Sequence, residues 1–244
     1  MSESSELSLR GSYQVVIANE VIKGRSPLTL NETKLLRTAI SQVVKEDQDL
    51  QTYTVKLNDL AEFFKIDSSD LYRDIKPMCA HIMQSVIEIG DDPKHWEYIH
   101  WTDKCRYDDG VITIKLSDEL KPYLINLSQL YTQYFLEDII FLKSTHAIRL
   151  YELIIEETRT KVYANKTADV FISVENIRRA TNTEKKYPDN SMFRKRVIEK
   201  SIDEIEKKKL AYKISFETVK EKGRVTGYLF HVSSRMGYNP DREE

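Results

Sequence analysis

PDNSMFRKRVIEKSIDEIEKKKLAYKISFETVKEKGRVTGYLFHV, residues 188–232, changes its apolar period once, and that change decides the fold. Up to about Lys208 the residues Phe193, Val197, Ile198, Ile202 and Ile205 recur at helical spacing, with Asp189 or Asn190 available as the cap. From Tyr212 the period falls to two. Tyr212, Ile214 and Phe216 alternate with Lys213, Ser215 and Glu217, the chain turns through Lys220 to Arg224, and Val225 to Val232 returns. A long helix therefore feeds a lysine-rich hairpin. Upstream, Val170–Ser173 reads as a strand and Glu175–Thr181 as a short helix. Before them, Ala147, Leu150, Tyr151 and Ile154 lie on one face of a helix between Ser144 and a charged stop around residues 156–161.

Working outward, the same order recurs between Tyr53 and Leu116. Thr29 and Glu32 have capping-box spacing, and Leu35, Leu36, Ala39, Ile40, Val43 and Val44 share the face of the helix that follows. QTYTVKL (51–57) alternates, Asn58 caps a short helix over 59–64, and Asp67, Ser68 and Ser69 open a longer one carrying Leu71, Ile75, Met78, Cys79, Ile82 and Val86. Pro77 inside that helix predicts a kink or a later start, because proline removes a backbone hydrogen bond. Trp96–Arg106 and Val111–Leu116 alternate around Asp109-Gly110, a strong two-residue hairpin signal. Strand, short helix, longer helix and hairpin, stated twice, predict an α+β chain of two tandem winged helices. The expected divisions are a flexible N-terminus (1–12), a first winged-helix domain (13–128), a second (129–235) and a flexible C-terminus (236–244), with the boundary in the polar stretch Asn126–Gln129 that ends a short helix capped by Asp118.

Charge separates the two copies. Residues 1–128 carry 15 Lys and Arg against 21 Asp and Glu, and residues 129–244 carry 22 against 18, although the whole chain is only −2. Between Arg178 and Arg224 the count is 15 against 8, so the basic surface belongs to the second copy. No apolar run approaches the roughly 18 residues of a membrane span, and the Ser- and Glu-rich start is unlike a signal peptide, which predicts a cytoplasmic protein with no membrane partner. Two cysteines without a CxxC pair, and five histidines on separate elements, provide no metal-ligand spacing. Seven glycines form no GxxxxGK loop, so neither a nucleotide nor any other cofactor is expected and helicase work falls to partners. No His-hydrophobic-His triplet accompanies a tyrosine, which leaves a tyrosine-dependent DNA nickase as a remote alternative, and no catalytic residue is assigned.

YTQYFLEDIIFLKSTHAIRLYELI (131–154) and FRKRVIEKSIDEI (193–205) resemble the plasmid replication initiator (Rep) proteins of the iteron-binding class. The likeness rests on Tyr134 and Leu136, Lys143 and Ser144, the Arg149–Leu153 block, and a reading helix that opens on Phe193, passes through basic residues and ends in Glu204-Ile205. It runs from about Val15 to Val232, and the Arg-Leu-Tyr-Glu-Leu block is its most specific part. The resemblance implies binding of directly repeated origin sequences and opening of the adjacent AT-rich duplex with host initiator or helicase proteins. It also implies autorepression by a dimer, formed through the first domain, on an inverted repeat. A dedicated dimeric transcriptional repressor is the alternative on the same fold.

Reading helices present their N-terminal residues to base edges in the major groove of double-stranded DNA. Asn190, Ser191, Arg194, Lys195 and Arg196, with Lys200 on the same outward face, are the candidates in the second copy. Lys195 and Arg196 are favoured as base readers, because arginine bidentate to guanine is the commonest specific contact; Arg194, nearer the apolar stripe, suits phosphate. Lys213, Lys220, Lys222 and Arg224 on the hairpin suit contacts that position the module without naming a sequence. In the first copy the outward candidates are Ser69, Tyr72, Arg73 and Lys76, diluted by Asp70 and Asp74. Trp96 and Trp101 fall on opposite faces of their strand, predicting one in the core and one at an interface.

Overall fold

Alternation around Tyr53 and Val55 on one side and Ile112, Ile114 and Leu116 on the other needs a shared sheet with one face buried, and the computed structural model supplies it. The structure describes residues 4–128 and 130–235; the expected C-terminal tail, 236–244, lies outside the described residues, as do residues 1–3. The chain forms two compact units, 1–21 with 26–141, and 22–25 with 142–244.

In the first unit, β1 (Ser4–Glu6), β2 (Gln14–Ala18) and α1 (Asn19–Lys23, whose last two residues belong to the second unit) precede α2 (Leu30–Ile40). Glu32 accepts the Thr29 N–H at 2.7 Å to close the capping box, and every residue of α2 from Glu32 onward is buried. Then come β3 (Thr52–Lys56), α3 (Leu57–Phe64) and α4 (Ser68–Gln84). Asp67 caps α4 by accepting the Ser69 N–H, and Leu71, Ile75, Met78 and Ile82 are its buried stripe. The helix starts where the sequence placed it and continues through Pro77; the ring lies on the exposed face, where the carbonyl left unbonded four residues earlier can turn to water. Next follow β4 (Val86–Asp92), β5 (His95–His100), β6 (Thr102–Asp108), β7 (Val111–Leu116), a 3₁₀ turn (Asp118–Leu120), α5 (Lys121–Leu124), β8 (Tyr131–Phe135) and α6 (Glu137–Ile140).

The main sheet has the order β1-β3-β7-β6, and Asp109-Gly110 joins β6 to β7 with positive φ at both residues, as a type I′ turn requires. Four expectations are corrected here. The run 96–106 is two strands: β5 pairs back on β4, an added hairpin that hides in the sequence because Val86 fits the helical period of α4 as well as the alternation of Ile87 and Ile89. The N-terminal segment is anchored from residue 4, since β1 runs parallel to β3 and the buried Leu7 donates its N–H to the Thr54 carbonyl at 2.7 Å; backbone pairing on an open edge needs no apolar side chains. The second unit's main segment begins at Leu142, not at 129, because β8 pairs antiparallel with β2 and so belongs to the first unit. Its helix also outruns the predicted charged stop, as described next.

In the second unit, α7 (Thr145–Asn165) runs through residues 156–161, because Glu, Arg and Lys are good helix formers and Lys23 pairs with Glu156 at 3.0 Å and with Glu157 at 3.5 Å. β9 (Thr167–Ser173) and α8 (Val174–Ala180) follow, with the Ser173 hydroxyl accepting the Asn176 N–H as cap. The long helix comes in three parts, α9 (Asn190–Phe193), a π-helical segment (Arg194–Glu199) and α10 (Lys200–Lys208). β10 (Tyr212–Glu221) and β11 (Arg224–Ser234) then close a sheet of order β10-β11-β9. Phe193, Val197, Ile198 and Ile205 are fully buried on the inner side of the long helix. Near 25 cal/mol per Å² of apolar surface, each such side chain contributes roughly 1.5–3 kcal/mol of transfer free energy. Each unit is thus helix, strand, helix, helix and hairpin: a winged helix, the first carrying one extra hairpin.

Candidate nucleic-acid interface

In the second unit, Asp189 holds the start of the reading helix. Its carboxylate accepts the Ser191 N–H at 2.5 Å, and this bond pulls its pKa below the usual range. Asn190 and Ser191 are exposed at that end, followed by Arg194, Lys195 and Arg196 in the π-helical segment and by Lys200, all exposed. Winding with i→i+5 bonds brings residues five apart together, and Arg194 Nε meets Glu199 Oε1 at 3.0 Å. The Arg194 guanidinium also lies 5.8 Å from the centre of the Phe216 ring on β10. Arg194 is therefore a braced cation, part neutralised. Among the described residues Lys195, Arg196 and Lys200 meet no carboxylate.

The turn before this helix, 181–189, is fastened by a residue absent from the expected site. Arg178 on α8 donates to the carbonyls of Thr183 at 3.0 Å, Lys186 at 2.7 Å and Tyr187 at 2.8 Å, and its guanidinium sits 4.1 Å from the centre of the Phe193 ring. Burial lowers its pKa from the ordinary arginine value. Lys185 and Lys186 are exposed on the same turn and add charge beside the helix start.

Lys220, Lys222 and Arg224 cluster at the wing tip, where Glu221 pairs with Arg224 across a two-residue turn. Lys222 (φ 47°) and Gly223 (φ 79°) form that turn, so a lysine occupies the left-handed region that glycine or asparagine would fill at lower cost. Lys213 does not join them. It pairs with Ser233 at the base of the hairpin, next to Ile214, whose N–H bonds to Glu206 in the last turn of α10; nine residues of strand separate it from Lys222 by about 25–30 Å.

The first unit presents less. The Ser69 hydroxyl is committed to the cap, donating to Asp67 Oδ1 at 2.5 Å, and Arg73 is clamped between Asp70 at 2.8 Å and Asp74 at 3.0 Å. Lys76 is exposed, and Tyr72, 62% exposed, stands edge-on to Tyr107 of β6 with ring centres 6.1 Å apart. A groove of about 670 Å³ opens between helix and wing, bordered by Ser68, Ser69, Tyr72, Tyr107, Asp109 and Gly110. Trp101 is buried, donating from Nε1 to Ser26 Oγ at 2.9 Å under the Arg37 guanidinium, while Trp96 is 57% exposed beside an equally open Tyr98.

Comparison with known proteins gives the same two-part plan. Residues 14–155 match the model of the family "Initiator Replication protein, WH1", and residues 173–232 match that of "Initiator Rep protein, WH2". A "Replication initiation protein" of Escherichia coli is 24% identical over 149 residues, 59% of this chain and 47% of that protein, so the chain spans about half the length of that relative. The crystal structure of the Pi initiator protein in complex with iteron DNA superposes with a TM-score of 0.74 at 22% identity, covering 93% of this chain and 99% of the other. With two winged helices in sequence, each matched by its own domain model and the first match alone spanning more than half the residues, the chain belongs to the family of initiator replication proteins.

Proposed function

We propose that this chain starts plasmid replication by binding double-stranded DNA at directly repeated origin sites, iterons, and helps open the origin there. One observation carries the reading: Lys195, Arg196 and Lys200 on the reading helix, which meet no carboxylate among the described residues, form with the basic wing tip an exposed cationic surface in the second unit. Lys195 and Arg196 read base edges, while Lys200, Lys220, Lys222 and Arg224 hold phosphates. Arg194, tied to Glu199, orients this surface, and Lys213 takes no part. In the first unit Tyr72 and Lys76 add auxiliary contacts, with Ser69 and Arg73 shaping the helix start.

The protein acts by binding rather than by catalysis, in the cytoplasm, and hands strand separation to host initiator or helicase proteins. Its membership of the initiator family and its fold likeness to a protein crystallised on iteron DNA support this reading. The exposed Trp96 and Tyr98 on β5 favour a second, dimeric form through the first unit, suited to an inverted repeat and to autorepression. A gel-shift comparison of origin direct repeats, the inverted repeat upstream of the gene and random DNA, with the mass of each complex measured, tests both parts. Monomers on direct repeats and dimers on the inverted repeat are expected; binding to direct repeats no tighter than to random DNA refutes the initiator reading.

A further inference from the structure

The two cysteines of this chain lie on different elements of the first unit, and the fold brings them face to face. Helix α4 runs past strand β6, with Tyr72 against Tyr107 at one end and the Thr102 hydroxyl donating to Met83 Sδ at 3.2 Å at the other. Eleven helical residues from 72 to 83 span about 16 Å, and five strand residues from 107 to 102 span the same. The two elements therefore stay in register along their whole contact. A register shift between Thr102 and Lys104 turns Thr102 to the same face as Cys105 and Tyr107. On the helix, Tyr72, Cys79 and Met83 share a face at i, i+7 and i+11. Between the flanking contacts, where α4 packs on β6, the side chains of Cys79 and Cys105 interact. Both residues are half-buried and both thiols are free.

We infer that Cys79 and Cys105 form an oxidation site that closes to an intramolecular disulfide, clamping the reading helix of the first unit to its wing. The reaction with a peroxide balances in two steps. One sulfur of the pair attacks a peroxide oxygen, the O–O bond breaks and water leaves, giving a sulfenic acid; the other sulfur then attacks it, the S–O bond breaks and a second water leaves. Two thiols and one hydrogen peroxide become one disulfide and two waters. The side-chain contact couples the two thiols, lowering the pKa of Cys79 and, with burial, raising that of Cys105, so that the pair carries one thiolate and one thiol. The link would lie one to two turns along α4 from the groove between Tyr72 and Tyr107 and would fix that groove's width. Disulfides of this kind in reducing compartments are transient and regulatory.

The test uses the full chain with hydrogen peroxide, followed by intact-mass measurement, maleimide labelling and non-reducing peptide mapping. A monomer lighter by two hydrogens, both thiols closed to maleimide, and one linked peptide pair carrying Cys79 and Cys105 are expected, all reversed by dithiothreitol. In Cys105→Ser and in Cys79→Ser the reaction stops at a sulfenic acid on the remaining cysteine, trapped by dimedone and heavier by one oxygen. Persistent maleimide reactivity at Cys105 after Cys79 is oxidised, a disulfide between two chains, or unreacted thiols in the folded wild type would each overturn the inference. Because the readout is covalent mass, it holds or fails independently of the DNA-binding reading.

Discussion

Replacing Arg178 with alanine tests whether the second reading helix is presented by a fastened turn. The side chain donates to three carbonyls of residues 183–187 and caps the Phe193 ring. Hydrogen bonds from a charged donor contribute about 1.5–3 kcal/mol each when buried and nearer 1 kcal/mol when water reaches them, and a cation–π contact adds roughly 0.5–1 kcal/mol. Arg178 is half-buried, so the lower value applies, and Arg178→Ala should cost the second unit roughly 2–4 kcal/mol. Urea denaturation, with the midpoint and slope fitted separately, measures this. Arg178→Lys keeps the charge over Phe193 but cannot reach three carbonyls with one fork, and should fall between wild type and alanine. Specific DNA affinity should drop in Arg178→Ala even well below the unfolding midpoint, because the freed turn no longer fixes Asp189 at the helix start. A stability change under about 0.5 kcal/mol would show that water replaces these bonds without loss, and the turn would then not be a structural fastener.

Arg196→Ala should weaken specific binding by about 1–3 kcal/mol and relax one base position, whereas Lys222→Ala should weaken all sequences alike; equal losses on specific and random DNA for both variants would contradict the division between reader and anchor. Lys222→Asn should raise stability by about 0.5–1 kcal/mol, since asparagine tolerates the left-handed turn, while lowering affinity, and calorimetry beside a binding titration would expose either sign being wrong. Burial, with the Asp47 carboxylate adding to it, pushes the Tyr53 phenol up to about 12 from an ordinary value near 10. The folded state thus favours the neutral phenol: its contribution is complete below pH 10 and declines as the pH rises to 12. Stability of Tyr53→Phe should be the flatter of the two across that window, and parallel curves for the two proteins would count against the assignment.

The wings were legible because their signals are local. Asp109-Gly110 and the alternation on either side of it fix the first hairpin, and Tyr212, Ile214 and Phe216 fix the second even though Lys222-Gly223 is a weaker turn pair. The basic face was legible because charge and the buried stripe Phe193–Ile205 divide the helix. What escaped depends on contacts the sequence does not pattern. The Arg194–Glu199 pair needs a π-helical segment, since an α-helix brings i and i+4 together rather than i and i+5. The acceptors of Arg178 are backbone carbonyls, which carry no residue signature. Lys213 looked like a wing residue because it is one, but hairpin length puts it at the end away from the tip. The same limit hid β8: only its pairing with β2, more than a hundred residues earlier, shows which unit owns it.

Arg149, on α7, donates to the carbonyls of Ile22 at 2.6 Å and Gly24 at 2.9 Å as well as to Glu152 and Ala180, and it is only 6% exposed. Four residues from the start of the chain are therefore built into the second winged helix. A gene fragment beginning at Leu142 would encode its whole main segment and still lack two of the carbonyls to which the guanidinium donates. The two modules are consecutive in pattern but not separable by a single cut, so recombination that exchanged one half between relatives would have to carry residues 22–25 with it.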